Sequence, residues 1–248
     1  MESASHTLVV DDFGIKCSTR AGADHLVTTL EELYPLKVDL TGKNYLGMTT
    51  TRDRKNRTLS HSTPGYIDKI LQRFKRVGDA QAASPSVYTT PTYGTRVQYV
   101  IMLTYAGLPL TVSLVTEVRA LVESILYYAR AIDATMLPTF TAIASEQAKL
   151  SSTIFPQVDR LLAYAAAYPS KELLCHASDM KLMAQFDASY LSLSRGRSLD
   201  GGIRYLGREN EPTAMHVFTS SVLIVVAASV AAAEYSCPPK GSSGYNLC

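Results

Sequence analysis

Cysteine is scarce in this sequence, and its spacing excludes two common uses of cysteine. The chain has 4 cysteines in 248 residues, at Cys17, Cys175, Cys237 and Cys248, and no two of them form a C-x-x-C pair. A disulfide framework needs paired cysteines at regular spacings, and a zinc site needs ligands at short fixed intervals. We therefore expect free thiols, as in a cytoplasmic or nuclear protein.

Signals for secretion and for a membrane span are also missing. The first ten residues lack the basic start and the long apolar core of a signal peptide, so we expect a protein that is not secreted. The most hydrophobic run, residues 222–233, is shorter than the ~20 residues that cross a bilayer. A buried strand that leads into a buried helix explains this run, and a membrane anchor through residues 217–233 is the alternative.

Positive charge exceeds negative charge only slightly over the whole chain, but one segment is strongly basic. The formal net charge is only +2, which by itself does not indicate a nucleic-acid-binding protein. Residues 52–76 nevertheless contain eight basic side chains against two acidic ones, Asp53 and Asp68. The basic residues are Arg52, Arg54, Lys55, Arg57, Lys69, Arg73, Lys75 and Arg76. Such a cluster suits a phosphate backbone, and a merely solvated face is the alternative.

The hydrophobic pattern predicts an α+β protein. Residues 7–16 are typical of a strand, a turn and a second strand, and residues 21–34 of a helix. A hairpin with the polar turn RDRKN follows, and then a helix after Pro64 with an apolar stripe on one side. Further helices are predicted within residues 116–169, strands within 172–207, another strand and a helix within 214–235, and a linker at 78–113.

Two adjacent carboxylates, Asp11 and Asp12, separate the first two predicted strands in the stretch TLVVDDFGIK. Asp favours turns, and at a hairpin tip its side chain can accept hydrogen bonds from backbone amides. Alternatively, the hairpin holds both carboxylates as ligands of Mg²⁺, a hard cation that prefers oxygen. Two-metal phosphoryl transfer uses carboxylates in this way, but it needs a further acidic ligand.

Several motifs follow one another along the chain: TLVVDDFGIK, TGKNYLGMTT, TPGYIDKILQRF, ESILYYARAIDATML and AQFDASYLS. This ordered series, spanning nearly the whole chain, resembles the reverse transcriptase and RNase H region of copia-type LTR retrotransposon polyproteins. The resemblance implies four parts. They are the C-terminal palm with the start of the thumb (1–80), a linker and helical connection (81–170), an incomplete RNase H-like α/β domain (171–235) and a disordered tail (236–248).

The resemblance also implies roles for individual residues. Asp11 and Asp12 match the paired aspartates of the family's YVDD hairpin and would bind Mg²⁺, with Val9 at the usual tyrosine position. Asp187 in FDASYLS resembles the first catalytic Asp of the RNase H domain, on a central strand. The basic segment 52–76 would face the phosphates of a template–primer or of an RNA–DNA hybrid.

The sequence departs from the family at positions that catalysis needs. The third palm Asp would lie upstream of Met1, and Ala232 replaces the acidic residue of the family's STEAEY motif. Glu234 points away from that position on a helix. We therefore expect a fragment that neither synthesises DNA on an RNA template nor cleaves RNA in a hybrid. A non-catalytic nucleic-acid-binding or assembly module is the alternative, and the exposed sheet edges of a partial palm lead us to expect self-association.

Overall fold

The computed structural model describes residues 4–9, 12–75, 81–86, 108–147, 150–193, 197–208, 211–223, 229 and 233. Within these residues five α-helices and three antiparallel sheets form a mixed α+β architecture, which confirms the predicted class. No specific fold is identified, and the division into palm, thumb and RNase H remnants stays a prediction. The strands are β1 (Ala4–Val9), β2 (Asp12–Cys17), β3 (Asn44–Tyr45), β4 (Met48–Asp53), β5 (Thr58–Ser62), β6 (Glu172–His176), β7 (Lys181–Leu193), β8 (Arg197–Arg208) and β9 (Glu211–Val222). The helices are α1 (Arg20–Glu31), α2 (Tyr66–Phe74), α3 (Val112–Ala131), α4 (Leu137–Ser145) and α5 (Phe155–Ala167).

The predicted first hairpin is confirmed. Strands β1 and β2 pair antiparallel, with Val9 opposite Asp12. Helix α1 follows after Thr19, whose hydroxyl accepts a hydrogen bond from the amide of Gly22, the usual way to satisfy a free amide at a helix start. None of the α1 side chains is fully buried, and the next turn exposes 72% of Leu33. This unit therefore contributes little to the core, and self-association through such surface stays a prediction.

The second sheet joins two distant parts of the sequence. Its order is β3–β4–β5–β6, with β4 and β5 forming the predicted hairpin around the basic turn. Strand β6 follows all five helices in the chain, yet it pairs with β5 so that Cys175 lies opposite Leu59. This pairing crosses the predicted domain boundary between residues 170 and 171.

The main hydrophobic core lies among four helices. The predicted apolar stripe of α2 is confirmed, because Ile67, Ile70 and Phe74 are buried against α3 and α5. Helix α3 buries residues at helical spacing, beginning with Val118, and α4 and α5 complete the cluster. The buried side chains of α3 are Val118, Leu121, Val122, Ile125, Tyr128 and Ala129.

Part of the predicted linker packs on these helices. Ala82 is buried in the core cluster, and the Arg160 guanidinium of α5 donates to the Ser84 carbonyl (3.1 Å) and hydroxyl (3.0 Å). Pro109 bridges to Ser151 near the start of α3. Residues 76–80 and 87–107, which make up most of that segment, lie outside the described residues.

The third sheet is a meander of order β7–β8–β9 that attaches to the helices. The Thr141 hydroxyl of α4 lies 3.0 Å from the Ser220 hydroxyl of β9. Just after the C-terminal end of α4, the Glu146 carboxylate lies 2.6 Å from the guanidinium of Arg197, the first residue of β8. The sheet is therefore tied to α4 at two places, through β8 and through β9.

The C-terminal predictions fall mostly on positions that the structure does not describe. Residues 217–222 lie in β9, so a strand is present where one was predicted. It is not the expected buried strand, because Val217 is 52% exposed and residues 218–222 are partly exposed. Beyond it, the Ala233 amide donates to the Ser229 carbonyl at 3.0 Å, and Ala233 is buried. Ala232, Glu234 and the tail at 236–248 lie outside the described residues. No helix in the described part of the chain is both long enough and apolar enough to cross a membrane.

One ion pair holds the start of β6 against the helices. The Lys171 ammonium lies 2.8 Å from the carboxylate of Asp133, which is only 4% exposed. The ammonium also donates to the Tyr164 hydroxyl and lies 4.7 Å from the centre of that ring. Burial alone acts to lower the pKa of Lys171, but hydrogen bonds to Asp133 and Tyr164 outweigh it and raise the pKa above its usual value. The folded protein therefore holds this proton more tightly than the unfolded chain does.

We predict that the α3 core dominates stability. Val118→Ala, at a side chain that is 1% exposed, should lower the free energy of unfolding by about 2 kcal/mol in urea denaturation, because it removes buried methyl groups and leaves a cavity. Val112→Ala makes the same change on the same helix at a side chain that is 84% exposed, and should change it by less than about 0.5 kcal/mol. Equal effects of the two substitutions would contradict the assigned core.

We predict that the Lys171–Asp133 pair stabilises the protein in a pH-dependent way. Lys171→Met should cost about 2 kcal/mol at neutral pH, less than for a fully buried pair because Lys171 is partly exposed. Since the folded-state pKa is raised, this stabilisation is complete below the ordinary lysine pKa of about 10.4 and is lost as the pH rises through the folded-state value. The difference between the two proteins should therefore shrink in alkaline urea titrations. Lys181→Met, at an exposed lysine, serves as the control, and a gap that stays constant with pH would refute the assignment.

Candidate nucleic-acid interface

The structure describes one of the two adjacent aspartates. Asp12 is the first residue of β2, and its side chain is exposed. Asp11 lies outside the described residues. The hairpin lies beside the YLGM element, since the Thr7 hydroxyl of β1 is 3.1 Å from the Tyr45 hydroxyl. The structure therefore brings together two of the motifs that the sequence resemblance singled out.

Tyr127 is near enough to Asp12 to be influenced by its charge. Burial raises the pKa of Tyr127 on α3, and the charges of Tyr66 and Asp12 raise it further. The Tyr127 hydroxyl donates to the Leu46 carbonyl at 2.5 Å. Within the described ranges, no group of three or more His, Cys, Asp or Glu side chains could hold a metal ion. Of the two ligands that the resemblance implies for Mg²⁺, the structure describes only Asp12, so this site stays a prediction.

Asp187 lies in a different sheet from Asp12. It is exposed on β7, opposite Gly201, and its carboxylate accepts a hydrogen bond from the Ala188 amide at 2.8 Å. Asp200 is opposite Ala188, so its side chain points to the other face of the sheet, where it accepts from the Ser221 hydroxyl. Strand β7 was expected to be central, but among the described strands it lies at the sheet edge.

The basic turn between β4 and β5 is held in shape by Asp53. Its carboxylate accepts hydrogen bonds from the amides of Lys55 (2.9 Å) and Asn56 (3.0 Å) and from the Asn56 side chain (2.7 Å). Bonds from Asn56 and Lys55 lower the pKa of Asp53. Arg57 adopts a left-handed φ of 53°. Arg54, Lys55 and Arg57 are all exposed around this turn.

Arg52 is positioned by a second local turn. Its guanidinium donates to the Thr41 carbonyl at 2.8 Å. The Asp39 carboxylate orders this loop by accepting from the amides of Thr41, Lys43 and Asn44 and from the Thr41 hydroxyl. The Thr41 hydroxyl and the Asn44 amide are the main causes that lower the pKa of Asp39.

The basic residues of α2 form a separate group. Lys69, Arg73 and Lys75 are exposed, and the Arg73 guanidinium lies 5.1 Å from the centre of the Phe74 ring. Arg76 lies outside the described residues. None of the described α2 residues lines the cleft that the turn arginines border.

The arginines of the turn border an open cleft of about 490 Å³. Its lining includes three arginines, hereafter the rim, which are Arg52, Arg54 and Arg57, and four apolar residues, hereafter the floor, which are Leu59, Cys175, Met180 and Leu206. The other lining residues are Asp53, Thr58, His61, His176 and Ala177. Sequence reasoning found the arginines but missed the floor. Alternation in β5 places Leu59 and His61 on one face, so this part could have been found. The other residues could not, because they join the cleft only through long-range packing.

Comparison of the chain with protein-family models, with curated proteins and with solved structures finds no match. Function is therefore inferred from the chemistry of the described side chains. Two features of the described residues have such chemistry: the basic turn with its cleft, and the exposed carboxylates Asp12 and Asp187.

Proposed function

We propose that this chain binds nucleic acid through the basic turn between β4 and β5, without catalysing a reaction on it. In this proposal the chain is a remnant of a copia-type reverse transcriptase and RNase H region. Its binding would be electrostatic and independent of base sequence, because contacts to phosphates carry affinity but no sequence information.

The observation that carries the proposal is a set of exposed cations on a turn that hydrogen bonds to Asp53 hold in shape. Arg54 and Arg57 have no ion-pair partner among the residues that the structure describes. The acid beside them, Asp53, accepts hydrogen bonds from its own turn. A guanidinium can bind a phosphate through two parallel hydrogen bonds. A compact turn with two arginines and a lysine therefore suits a phosphate backbone.

The ancestry in the proposal is supported by the order of the motifs and by two local structures. The TLVVDDFGIK stretch forms a hairpin beside the YLGM element, and FDASYLS lies on the first strand of a three-stranded meander. The exposure of Asp12 and Asp187, and the lack of any group of three or more possible metal ligands among the described residues, support the absence of catalysis. No step through Mg²⁺ is part of the proposed function.

We predict that the basic turn accounts for nucleic-acid affinity. We expect binding to an RNA–DNA hybrid at about 100 mM salt to weaken at least tenfold in the triple variant Arg54→Gln, Lys55→Gln and Arg57→Gln. The reason is that the variant loses contacts to phosphates, which release bound counterions when they form. The slope of log affinity against log salt should fall in magnitude by roughly 2 to 3. Fluorescence anisotropy over a salt series measures both quantities.

A matched control separates this interface from general charge. Lys16→Gln, Lys37→Gln and Arg130→Gln remove the same charge from exposed positions outside the basic segment. This variant should bind nearly as well as the unaltered chain. A third variant, Lys69→Gln with Arg73→Gln, tests whether α2 contributes. Equal binding by the turn variant and the control would show that the turn is only a solvated face.

We predict that the chain is inactive as a polymerase and as a nuclease. Primer extension on an RNA template and cleavage of an RNA–DNA hybrid, each with Mg²⁺ or Mn²⁺, should give only the background rate. The physical reason is that neither the Asp11–Asp12 pair nor Asp187, with Ala232 in place of an acid, supplies the further acidic ligand that two-metal chemistry needs. Extension that disappears with Asp11→Asn, or cleavage that disappears with Asp187→Asn, would overturn this part of the proposal.

A further inference from the structure

The register of the second sheet aligns a row of side chains across three strands. Arg52 lies opposite Leu59 on β5, and Leu59 lies opposite Cys175 on β6. Residues directly opposite one another point to the same face of a sheet. His61 lies two positions beyond Leu59 and therefore shares that face. One face of the sheet thus presents a guanidinium, an aliphatic side chain, a thiol and an imidazole side by side.

The third sheet turns this face into a cleft. Met180, next to the start of β7, and Leu206 of β8 line the cleft together with this row, and the volume of the open cleft is about 490 Å³. That volume is within the range of about 300–1,000 Å³ found for small-molecule sites. Met180 is 64% exposed, so an occupant can reach the floor from solvent.

Charge in the cleft is confined to its rim. Arg52, Arg54 and Arg57 provide three cations, and Asp53 is the only acid that lines the cleft among the described residues. Burial, followed by the charge of Arg52, lowers the pKa of His61, which favours the neutral imidazole at physiological pH. The cleft therefore combines a cationic rim with an uncharged, mostly apolar floor.

This combination complements a nucleotide whose base is exposed. A duplex keeps the faces of its bases stacked and offers only its backbone and base edges. A single strand can splay a base onto a protein surface while its phosphates contact arginine. We infer that the cleft takes an unstacked base of a single-stranded nucleic acid, with the adjoining phosphate on the arginine rim. The inference rests on the proposed function and goes further by naming the single strand as its preferred ligand.

The test compares the binding of one strand with the binding of the duplex of the same sequence. A strand of about 12 nucleotides is within the range of site sizes for proteins that bind single strands. The unaltered chain should bind the single strand at least about fivefold tighter. Met180→Gln keeps the side-chain size but makes this part of the floor polar, and should weaken single-strand binding about fivefold while leaving duplex binding unchanged. Leu182→Gln, at a nearby side chain that is 56% exposed and does not line the cleft, should change neither.

The outcomes separate this inference from the proposed function. Equal affinity for the two ligands, or a Met180→Gln effect that is the same for both, overturns the single-strand inference and leaves phosphate binding by the turn intact. Loss of the arginine dependence for both ligands overturns the proposed function itself. Photocrosslinking of a strand with 5-iodouracil gives a second readout, in which adducts at His61, Cys175 or Met180, which line the cleft, support the inference and adducts confined to other surfaces refute it.

Discussion

Burial of one face of α3 is the interaction on which the rest of the structure depends. Six of its side chains are buried against α2, α4 and α5, and this apolar burial provides the main free energy that offsets the entropy of ordering the chain. The same helix fixes the N-terminal part, because the Tyr127 hydroxyl binds the Leu46 carbonyl. A two-stranded hairpin such as β1–β2 is marginal alone, so it depends on this attachment.

The cleft depends on the same core through β6. The Lys171–Asp133 pair ties the residue before β6 to the end of α3, and this brings β6 within pairing distance of β5. The β5–β6 register then puts Cys175 beside Leu59. Arg52, on the next strand, is aligned by the same hydrogen-bonded ladder. The shape of the candidate site is therefore a consequence of helix packing at some distance from it.

Several carboxylates in the described part of the chain accept hydrogen bonds from nearby residues of the sequence. Asp39 and Asp53 order their turns in this way, Asp133 accepts from Thr135 as well as from Lys171, and Asp187 accepts from the next amide. Local acceptance holds each acid near its own backbone, whereas a metal site needs several acids to converge. The arginines of the turn are exposed, and in the proposed function they are the groups that contact the phosphates.

Sequence by itself determined the α+β class, the β4–β5 hairpin, the apolar stripe of α2 and the arginines of the turn, because periodicity, turn chemistry and charge act over a few neighbouring residues. The packing of residues 81–86, the edge position of β7 and the cleft floor were decided only by the tertiary structure. Leu59 and Cys175 are far apart in the chain and meet through strand pairing, and Met180 and Leu206 reach them from another sheet. Such contacts depend on which of many compact pairings buries the most apolar surface, and no local pattern carries that information.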